Sequence, residues 1–157
     1  MIRETRGGEV ALDRLSKSVE ETEAFGREIA ADLSTDDVVY LIGELGAGKT
    51  ALARGIAAGL GAAPREVASP TFAILNEYAS AGGSIVLRHL DLYRLADRPR
   101  ELEILGLPAG VAGSPVAVEW PGEAIREALP STVEVRLTAE PDGARRIAVR
   151  RSASRPG

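Results

Sequence analysis

One eight-residue segment constrains the fold of this chain more than any other feature, and it reads Gly43-Glu44-Leu45-Gly46-Ala47-Gly48-Lys49-Thr50. It matches the pattern G-x-x-x-x-G-K-S/T at every fixed position. The apolar run Val38–Ile42 precedes it, and the helix-forming run Thr50–Ala57 follows it. Glycines let consecutive N–H groups point inward at phosphate oxygens, and the following helix presents its positive end to the same anion. The sequence therefore predicts a strand, a phosphate-binding loop (the P-loop, residues 43–50) and a helix in succession.

Lysine is rare in this chain, which makes its place in the P-loop informative. Of 19 basic residues, only Lys17 and Lys49 are lysines. We expect Lys49 to be a surface cation that bridges the β- and γ-phosphates, and the Thr50 hydroxyl to ligate Mg²⁺. Guanine-specific P-loop proteins carry an N-K-x-D motif, which two lysines at these positions cannot supply. ATP follows by elimination.

A P-loop site also needs an acidic residue at the end of a neighbouring strand to hold the magnesium. Glu119 directly follows the apolar run Val116–Val118, and Asp91 ends the run Ile85–Leu90. Either acid could instead be a solvated residue at a strand end. Glu119 is the favoured ligand, with Asp91 acting through water or orienting the nucleophile.

Two residues that occur once each stand beside these acids. His89 shares a strand face with Asp91, and a hydrogen-bonded structural role suits it better than catalysis. Trp120 directly follows Glu119. A lone tryptophan usually belongs to the core, but this one is expected at the mouth of the site.

The remaining pattern predicts an α/β fold. Strands that alternate with helices and then pair with one another indicate a three-layer fold, a mixed parallel/antiparallel sheet with helices on both faces. We expect a flexible N-terminus at 1–8, a single domain at 9–151 and a disordered tail at 152–157. Besides the elements around the P-loop, the predicted elements are strands at 10–15, 73–78, 84–90, 116–118, 132–137 and 145–150, a helix capped by Ser18 that runs to Leu33, and a short helix at 101–105.

Composition narrows the classes of function. No run approaches the ~20 apolar residues that span a bilayer, and the N-terminus lacks the apolar stretch of a signal peptide. The chain has no cysteine, so disulfides and thiolate metal sites are excluded. A net charge of −4 makes unaided nucleic-acid binding unexpected. A cytoplasmic protein without membrane attachment is the expectation.

Further motifs follow the P-loop in order: Arg54-Gly55, Gly59-Leu60-Gly61, Ser69-Pro70-Thr71-Phe72, Asn76-Glu77-Tyr78, His89-Leu90-Asp91-Leu92-Tyr93-Arg94-Leu95, Glu101-Leu102, Leu105-Gly106 and Glu119-Trp120-Pro121. In that order and spacing, the chain from about Leu15 to Val149 resembles the TsaE (YjeE) family, the ATPase component of bacterial tRNA threonylcarbamoyladenosine synthesis. The resemblance implies the P-loop NTPase fold. It also implies that the chain works with TsaD and TsaB, which modify adenosine 37 of tRNAs reading codons that begin with A, and meets tRNA only through that complex. ATP hydrolysis, weak in the isolated protein, would reset the complex.

The resemblance also implies roles for particular residues. Thr50 and Glu119 would ligate Mg²⁺, and residues Glu44 to Thr50 would bind the nucleotide. Ser69 to Phe72 would lie by the γ-phosphate like a switch loop. The residues expected to act in catalysis are Lys49, Asp91 and Thr71, and further nucleotide contacts are expected from Thr22, near the base, and Arg146, near the phosphates.

Two other functions compete with this one. A small-molecule kinase would use the same phosphate-binding loop and close an arginine-bearing lid, for which Arg94, Arg98 and Arg100 are candidates. Against it, Tyr93-Arg94-Leu95 continues the family motif, and the sequence shows no second pocket for an acceptor. A nucleotide-gated binding module with negligible hydrolysis is the third possibility.

Overall fold

A computed structural model of the chain describes residues 3–4, 10–64, 75–93, 100, 106 and 111–152. Within these ranges the chain forms eight strands, Arg3–Glu4 (β1), Val10–Ser16 (β2), Val38–Ile42 (β3), Leu75–Ala79 (β4), Ile85–Asp91 (β5), Val116–Glu119 (β6), Val133–Ala139 (β7) and Arg145–Arg151 (β8). The same ranges contain three helices, Val19–Ala30 (α1), Lys49–Gly59 (α2) and Glu123–Ala128 (α3). None of these helices has the length and apolar character required to cross a bilayer.

All eight strands belong to one mixed sheet, in the order β1-β2-β8-β7-β3-β6-β5-β4. The central strand β3 is parallel to both of its neighbours, β6 and β7, and β5 is parallel to β6. The other pairs are antiparallel. Because parallel strands end at the same edge, the segments that follow β3, β5 and β6 meet there. The register sets Asp91 directly opposite Glu119 at that edge.

Helices cover both faces of the sheet, which confirms the predicted three-layer α/β fold. On one face α1 and α2 pack against β3, β6, β7 and β8, through side chains that include Phe25, Leu41, Leu52, Ile56, Val135 and Ile147. On the other face the short helix α3 buries Ile125 among residues of β3, β5 and β6, which include Tyr40, Leu90 and Val118. Since β3 is covered on both sides, its sequence is a continuous apolar run.

The two long helices pack against each other almost backbone to backbone. A Cβ atom at Gly55 would lie 2.1 Å from the Glu23 carbonyl oxygen, and one at Gly26 would lie 2.5 Å from that of Leu52. Both distances are too short for any side chain. These glycines therefore fix the start of α2, and with it the P-loop, relative to α1.

A buried acid lies at the edge of the sheet opposite the P-loop. Asp37, just before β3, is 1% exposed, and its carboxylate accepts hydrogen bonds from the Ser34 amide (2.7 Å), the Thr132 hydroxyl (2.8 Å) and the Arg151 guanidinium (3.1 Å). Burial raises the pKa of Asp37, but these hydrogen bonds and the charge of Arg151 outweigh it and leave the pKa below its ordinary value. The fold therefore stabilises the ionised form of this acid.

The predicted strands agree with the observed ones to within one or two residues where both are described. Ser18 caps α1 by accepting a hydrogen bond from the Glu21 amide (3.0 Å), as predicted, but the helix ends at Ala30 and not at Leu33. Within the predicted flexible N-terminus, Arg3–Glu4 pairs with the outer edge of β2. Helix α3 was not predicted, because six residues are too few to show a helical period. The helix predicted at 101–105 lies outside the described residues.

Candidate nucleotide-binding site

The P-loop connects β3 to α2 and has the geometry of an anion-binding loop. Gly46 and Gly48 adopt left-handed backbone conformations, with φ of 78° and 103°, which glycine tolerates best. Helix α2 begins directly after Gly48 without a side-chain cap, and no acidic residue lies in its first turn. Gly48 thus supplies no side-chain acceptor to the first N–H groups of α2, and the positive end of the helix can receive an anion.

Lys49 is buried inside the loop, with 5% of its surface exposed. Its ammonium group donates hydrogen bonds to the carbonyl oxygens of Gly43 and Glu44 and lies 4.0 Å from the centre of the Trp120 ring. Burial lowers the pKa of Lys49, and the nearby carboxylates of Glu119, Asp91 and Glu44 oppose this only in part. The expectation of a surface cation was therefore wrong, because the loop folds back around the side chain and Trp120 covers it.

The two candidate acids lie side by side at the ends of β5 and β6. Glu119 is buried, with 4% exposure, whereas Asp91 is exposed and accepts a hydrogen bond from the Tyr93 amide (3.1 Å). Both carboxylates are close enough to Lys49 for their charges to raise its pKa. The structure thus brings together the three residues that the sequence placed in the site.

His89 contacts Glu119 across the two strands, with 2.7 Å between Nε2 and Oε2. Both side chains are almost fully buried. The His89 Nδ1 atom is buried and has no hydrogen-bond partner among the described residues. The predicted hydrogen bond of His89 therefore exists, and its partner is a candidate metal ligand.

The residues present fit a magnesium ion. The Glu119 carboxylate, the neighbouring Asp91 carboxylate and the exposed Thr50 hydroxyl are hard oxygen donors, the kind that Mg²⁺ prefers. In the described part of the chain, no three His, Asp or Glu side chains form a ready cage for an ion. Magnesium does not need such a cage, since it retains waters and binds through one or two carboxylates plus the phosphates of its substrate.

Trp120 lies at the mouth of the site, as predicted, and in an unusual conformation. Its φ of 56° is the only positive value among the described non-glycine residues, and such a backbone costs about 1–3 kcal/mol in a bulky residue. The indole packs edge-on against Tyr93, with 5.0 Å between ring centres. Both aromatic side chains line a cleft of about 700 Å³, which also borders Gly43, Arg126 and Arg136.

Thr22 is one of the two outlying nucleotide contacts expected from the sequence, and a contact between it and the nucleotide stays a prediction. Thr22 lies beside Gly48, but its hydroxyl is buried and hydrogen-bonded to the Ser16 hydroxyl (2.7 Å) and the Ser18 carbonyl (3.2 Å). These bonds leave the hydroxyl of Thr22 engaged within the protein. Its methyl group supports the back of the loop.

Arg146 points away from the P-loop. It is exposed and pairs with Glu140 (3.0 Å) and Asp13 (3.2 Å), which raise its pKa. The neighbouring Arg145 instead donates a hydrogen bond to the Gly46 carbonyl of the loop (3.1 Å). Successive side chains of a strand point to opposite faces, so the arginine beside the P-loop is Arg145, which the sequence analysis did not single out.

The rest of the predicted site divides between exposed and buried positions. Glu44, Leu45, Gly46 and Thr50 are exposed, whereas Ala47 is buried. Thr71 and the proposed switch segment, residues 69–72, lie outside the described residues, as do Arg94 and Arg98 of the alternative lid.

The chain is similar in sequence to a known protein family and to several of its members. The sequence model of the family "Threonylcarbamoyl adenosine biosynthesis protein TsaE" matches residues 16–147. The tRNA threonylcarbamoyladenosine biosynthesis protein TsaE of Treponema pallidum is 39% identical over 137 residues, covering 86% of this chain and 97% of that protein. The TsaE protein of Streptomyces coelicolor is 40% identical over 112 residues, 71% of this chain and 75% of that one.

Solved structures include a similar chain. The crystal structure of YdiB from Bacillus subtilis superimposes with a TM-score of 0.69 at 30% identity, covering 97% of this chain and 88% of that one. The similarity in fold extends over nearly the whole chain, and the match to the family model spans most of the described sheet. This chain belongs to the TsaE family of P-loop proteins.

Proposed function

We propose that this chain binds ATP with Mg²⁺ at the P-loop, hydrolyses it, and thereby serves the threonylcarbamoyl modification of tRNA. The observation that carries the proposal is the environment of Lys49. Its ammonium group is buried at the start of α2, and burial lowers its pKa. Membership of the TsaE family supports the proposed pathway, and the contacts of Lys49 support the proposed binding of phosphate.

Phosphate oxygens would complete the bonding of Lys49. In the structure its acceptors are the neutral carbonyl oxygens of Gly43 and Glu44. An anionic phosphate oxygen would add charge–charge attraction to the hydrogen bond, which a neutral carbonyl oxygen cannot supply. The N-terminal N–H groups of α2 would bind the same anion. The loop is therefore arranged for a polyphosphate, and ATP is the nucleotide that the sequence favours.

Thr50 and Glu119 are the residues that would hold the magnesium, whose charge neutralises that of the phosphates. Lys49 would stabilise negative charge on the transferred phosphoryl group. Asp91 is the exposed acid opposite Glu119, and its position supports the proposal that it orients an attacking water. A catalytic role for Thr71 remains a prediction.

We propose TsaD and TsaB as the partners of this chain, with tRNA reached only through their complex and ATP hydrolysis resetting that complex. Leu45 and Tyr93 support a docking role for the rim of the site, because they are 67% and 52% exposed there. A net charge of −4 disfavours direct binding of tRNA. The cytoplasmic location stays a prediction.

The decisive test is phosphate release from ATP with and without TsaD and TsaB. We expect slow release by the chain alone, faster release with the partners, and loss of release in Asp91→Asn with ATP binding preserved. Equal release by Asp91→Asn and the unaltered chain would contradict the role of Asp91. An absence of release under every condition would leave only a nucleotide-gated binding module.

Docking provides a second test. A nucleotide can control docking only if the partner binds the two states with different affinity. We therefore expect the affinity for TsaD–TsaB to differ among the ATP-bound, ADP-bound and nucleotide-free chain. Equal affinities in all three states would remove the switch and leave the ATPase.

A small-molecule kinase is the second candidate, because the cleft between Trp120 and Arg136 adjoins the P-loop. The sequence had shown no such pocket, so the structure corrects that part of the argument against a kinase. The two functions differ in the fate of the γ-phosphate. Labelled phosphate would appear as the free ion for an ATPase and in a small metabolite for a kinase.

A further inference from the structure

We infer that His89 is a positioning residue that fixes the Glu119 carboxylate in the orientation needed to hold magnesium. The inference rests on the proposed function, since it concerns the metal-dependent binding of ATP. Nothing in the sequence pattern singled out this role, because 30 residues separate the two positions.

The sheet fixes the relation between the two side chains. In the parallel pair of β5 and β6, His89 lies opposite Ala117. Both residues are two positions before the pair formed by Asp91 and Glu119, and residues two positions apart on a strand point to the same face. All of these side chains point to the face covered by α2, because Ala117 packs in the core layer of that face. His89 is therefore behind Glu119, on the side away from the strand ends, where it can support the carboxylate without occupying the site.

The hydrogen bond assigns the two oxygens of Glu119 to different tasks. An ionised carboxylate can only accept hydrogen bonds, so with Glu119 in that form Nε2 donates to Oε2. No hydrogen bond among the described residues uses the other oxygen, Oε1. One oxygen of Glu119 is thus fixed by His89, and the other is left for a ligand.

Among the described residues, His89 has no polar interaction that competes with the one to Glu119. Its Nδ1 atom is buried without a partner among the described residues, and the ring is 4% exposed. A histidine with a purely structural role would be expected to use both nitrogens, because an unpaired buried polar atom costs free energy. Within the part of the chain that the structure describes, the ring's polar contact is the one to Glu119. Removing the hydrogen-bonded support of a metal ligand typically weakens metal binding by about 10–100-fold.

The test measures how much Mg²⁺ is needed for tight binding of a non-hydrolysable ATP analogue, so that activity plays no part. In His89→Leu we expect the Mg²⁺ midpoint to rise by about 10–100-fold, while the affinity measured in EDTA stays within about twofold. In His89→Gln the side-chain amide can donate in place of Nε2, and we expect the midpoint to return to within about threefold of the unaltered chain. If His89→Leu does not fold, His89→Asn, whose amide is too short to reach Oε2, takes its place.

Leu87→Val is the matched control for lost packing. Leu87 is two residues earlier on the same strand and the same face, is fully buried, and has no polar side-chain atom that could bond Glu119. We expect this variant to unfold at a lower temperature and to keep the Mg²⁺ midpoint unchanged.

The arms separate failure of the inference from failure of the proposed function. An unaltered chain whose analogue binding ignores Mg²⁺ would overturn the proposed function itself. A chain that depends on Mg²⁺ and loses that dependence in Glu119→Gln, but keeps a normal midpoint in His89→Leu, would overturn the role of His89 alone. A midpoint raised equally in His89→Leu, His89→Gln and Leu87→Val would reduce His89 to a packing residue.

Discussion

A buried ionisable residue lies near each end of the central strand β3, and the protein stabilises the charged form of one and destabilises that of the other. Asp37, before the strand, has three hydrogen-bond donors and a pKa below its ordinary value. Lys49, after the strand, donates to neutral carbonyl oxygens and lies against the ring of Trp120. Its pKa is also below the ordinary value, here because burial disfavours the charged form. For an acid a lowered pKa means a stabilised charge, whereas for a base it means a destabilised one.

This is the difference that we expect between a charge that stabilises the fold and one that binds a ligand. The partners of Asp37 all come from the chain, and they join the start of β3 to β7 and β8. The charge of Lys49 is only partly compensated by the chain, so an anion would relieve it.

Replacing Lys49 with alanine has the largest expected effect. We expect ATP affinity to fall at least about 100-fold, since each hydrogen bond to a charged group contributes roughly 1.5–3 kcal/mol. Thermal stability should not fall, because the variant removes a cation that burial disfavours. Calorimetric titration and thermal unfolding measure the two quantities. Lys17→Ala removes the same charge from an exposed position and should change neither, whereas a matching loss of affinity there would point to net charge alone.

The opposite outcome is expected at Asp37. Asp37→Asn keeps the shape but removes the charge, and we expect a loss of about 2 kcal/mol in the free energy of unfolding with unchanged ATP affinity. Chemical denaturation measures the first quantity, and Asp36→Asn, at the exposed neighbouring position, is the control. Weaker ATP binding in Asp37→Asn would show that the two ends of β3 are coupled.

Acid sensitivity sharpens the same contrast. The folded-state pKa of Asp37 lies below the ordinary value of 3.8, so the unfolded chain takes up this proton more readily than the folded one. The stability contributed by Asp37 is therefore present above pH 3.8 and is lost as the pH falls through the folded-state pKa. Unfolding curves of Asp37→Asn should lose less stability across this window than those of the unaltered chain. Equal losses would assign the acid sensitivity to other carboxylates.

The sequence was most informative where chemistry is local. The P-loop pattern fixes its own turn, the start of α2 and the identity of Lys49 within eight consecutive residues. Strand ends carrying Asp91 and Glu119 could also be recognised, since short apolar runs mark buried parallel strands. The pairing of these strands confirmed that the two acids are neighbours.

What the sequence could not supply depends on register and on packing between distant segments. The bond between His89 and Glu119 requires knowing which residues of β5 and β6 face each other. The choice between Arg145 and Arg146 depends on which face of β8 borders the loop. The burial of Lys49 depends on Trp120, 71 positions later in the chain. None of these relations leaves a trace in local periodicity.

Arg145 and Arg146 form a pair of adjacent variants with a smaller expected contrast. Arg145→Ala removes the hydrogen bond to the Gly46 carbonyl, and we expect ATP affinity to fall roughly two- to fivefold, as for an exposed charged contact. Arg146→Ala should leave affinity unchanged, because its partners are Asp13 and Glu140. Titration of both variants tests this, and the reverse order of effects would restore Arg146 as the nucleotide contact.

The smallest change is expected in a spectroscopic signal. Trp120 is the only tryptophan, and the Lys49 ammonium group lies 4.0 Å from its ring. If phosphates draw Lys49 away from the ring, the fluorescence of Trp120 should change on addition of ATP and should respond little in Lys49→Ala. An identical response in both proteins would show that Lys49 does not move relative to the indole.

At Gly26 and Gly55, α1 and α2 meet without an intervening layer of side chains. Because the backbones are in direct contact at these glycines, we expect the two helices to move together. A ligand that displaces the Lys49 end of α2 would therefore tilt α1 as well, together with the Ser18 cap that follows β2. Both helices lie on the same face of the sheet, so such a displacement would be passed along that face from the P-loop toward β2.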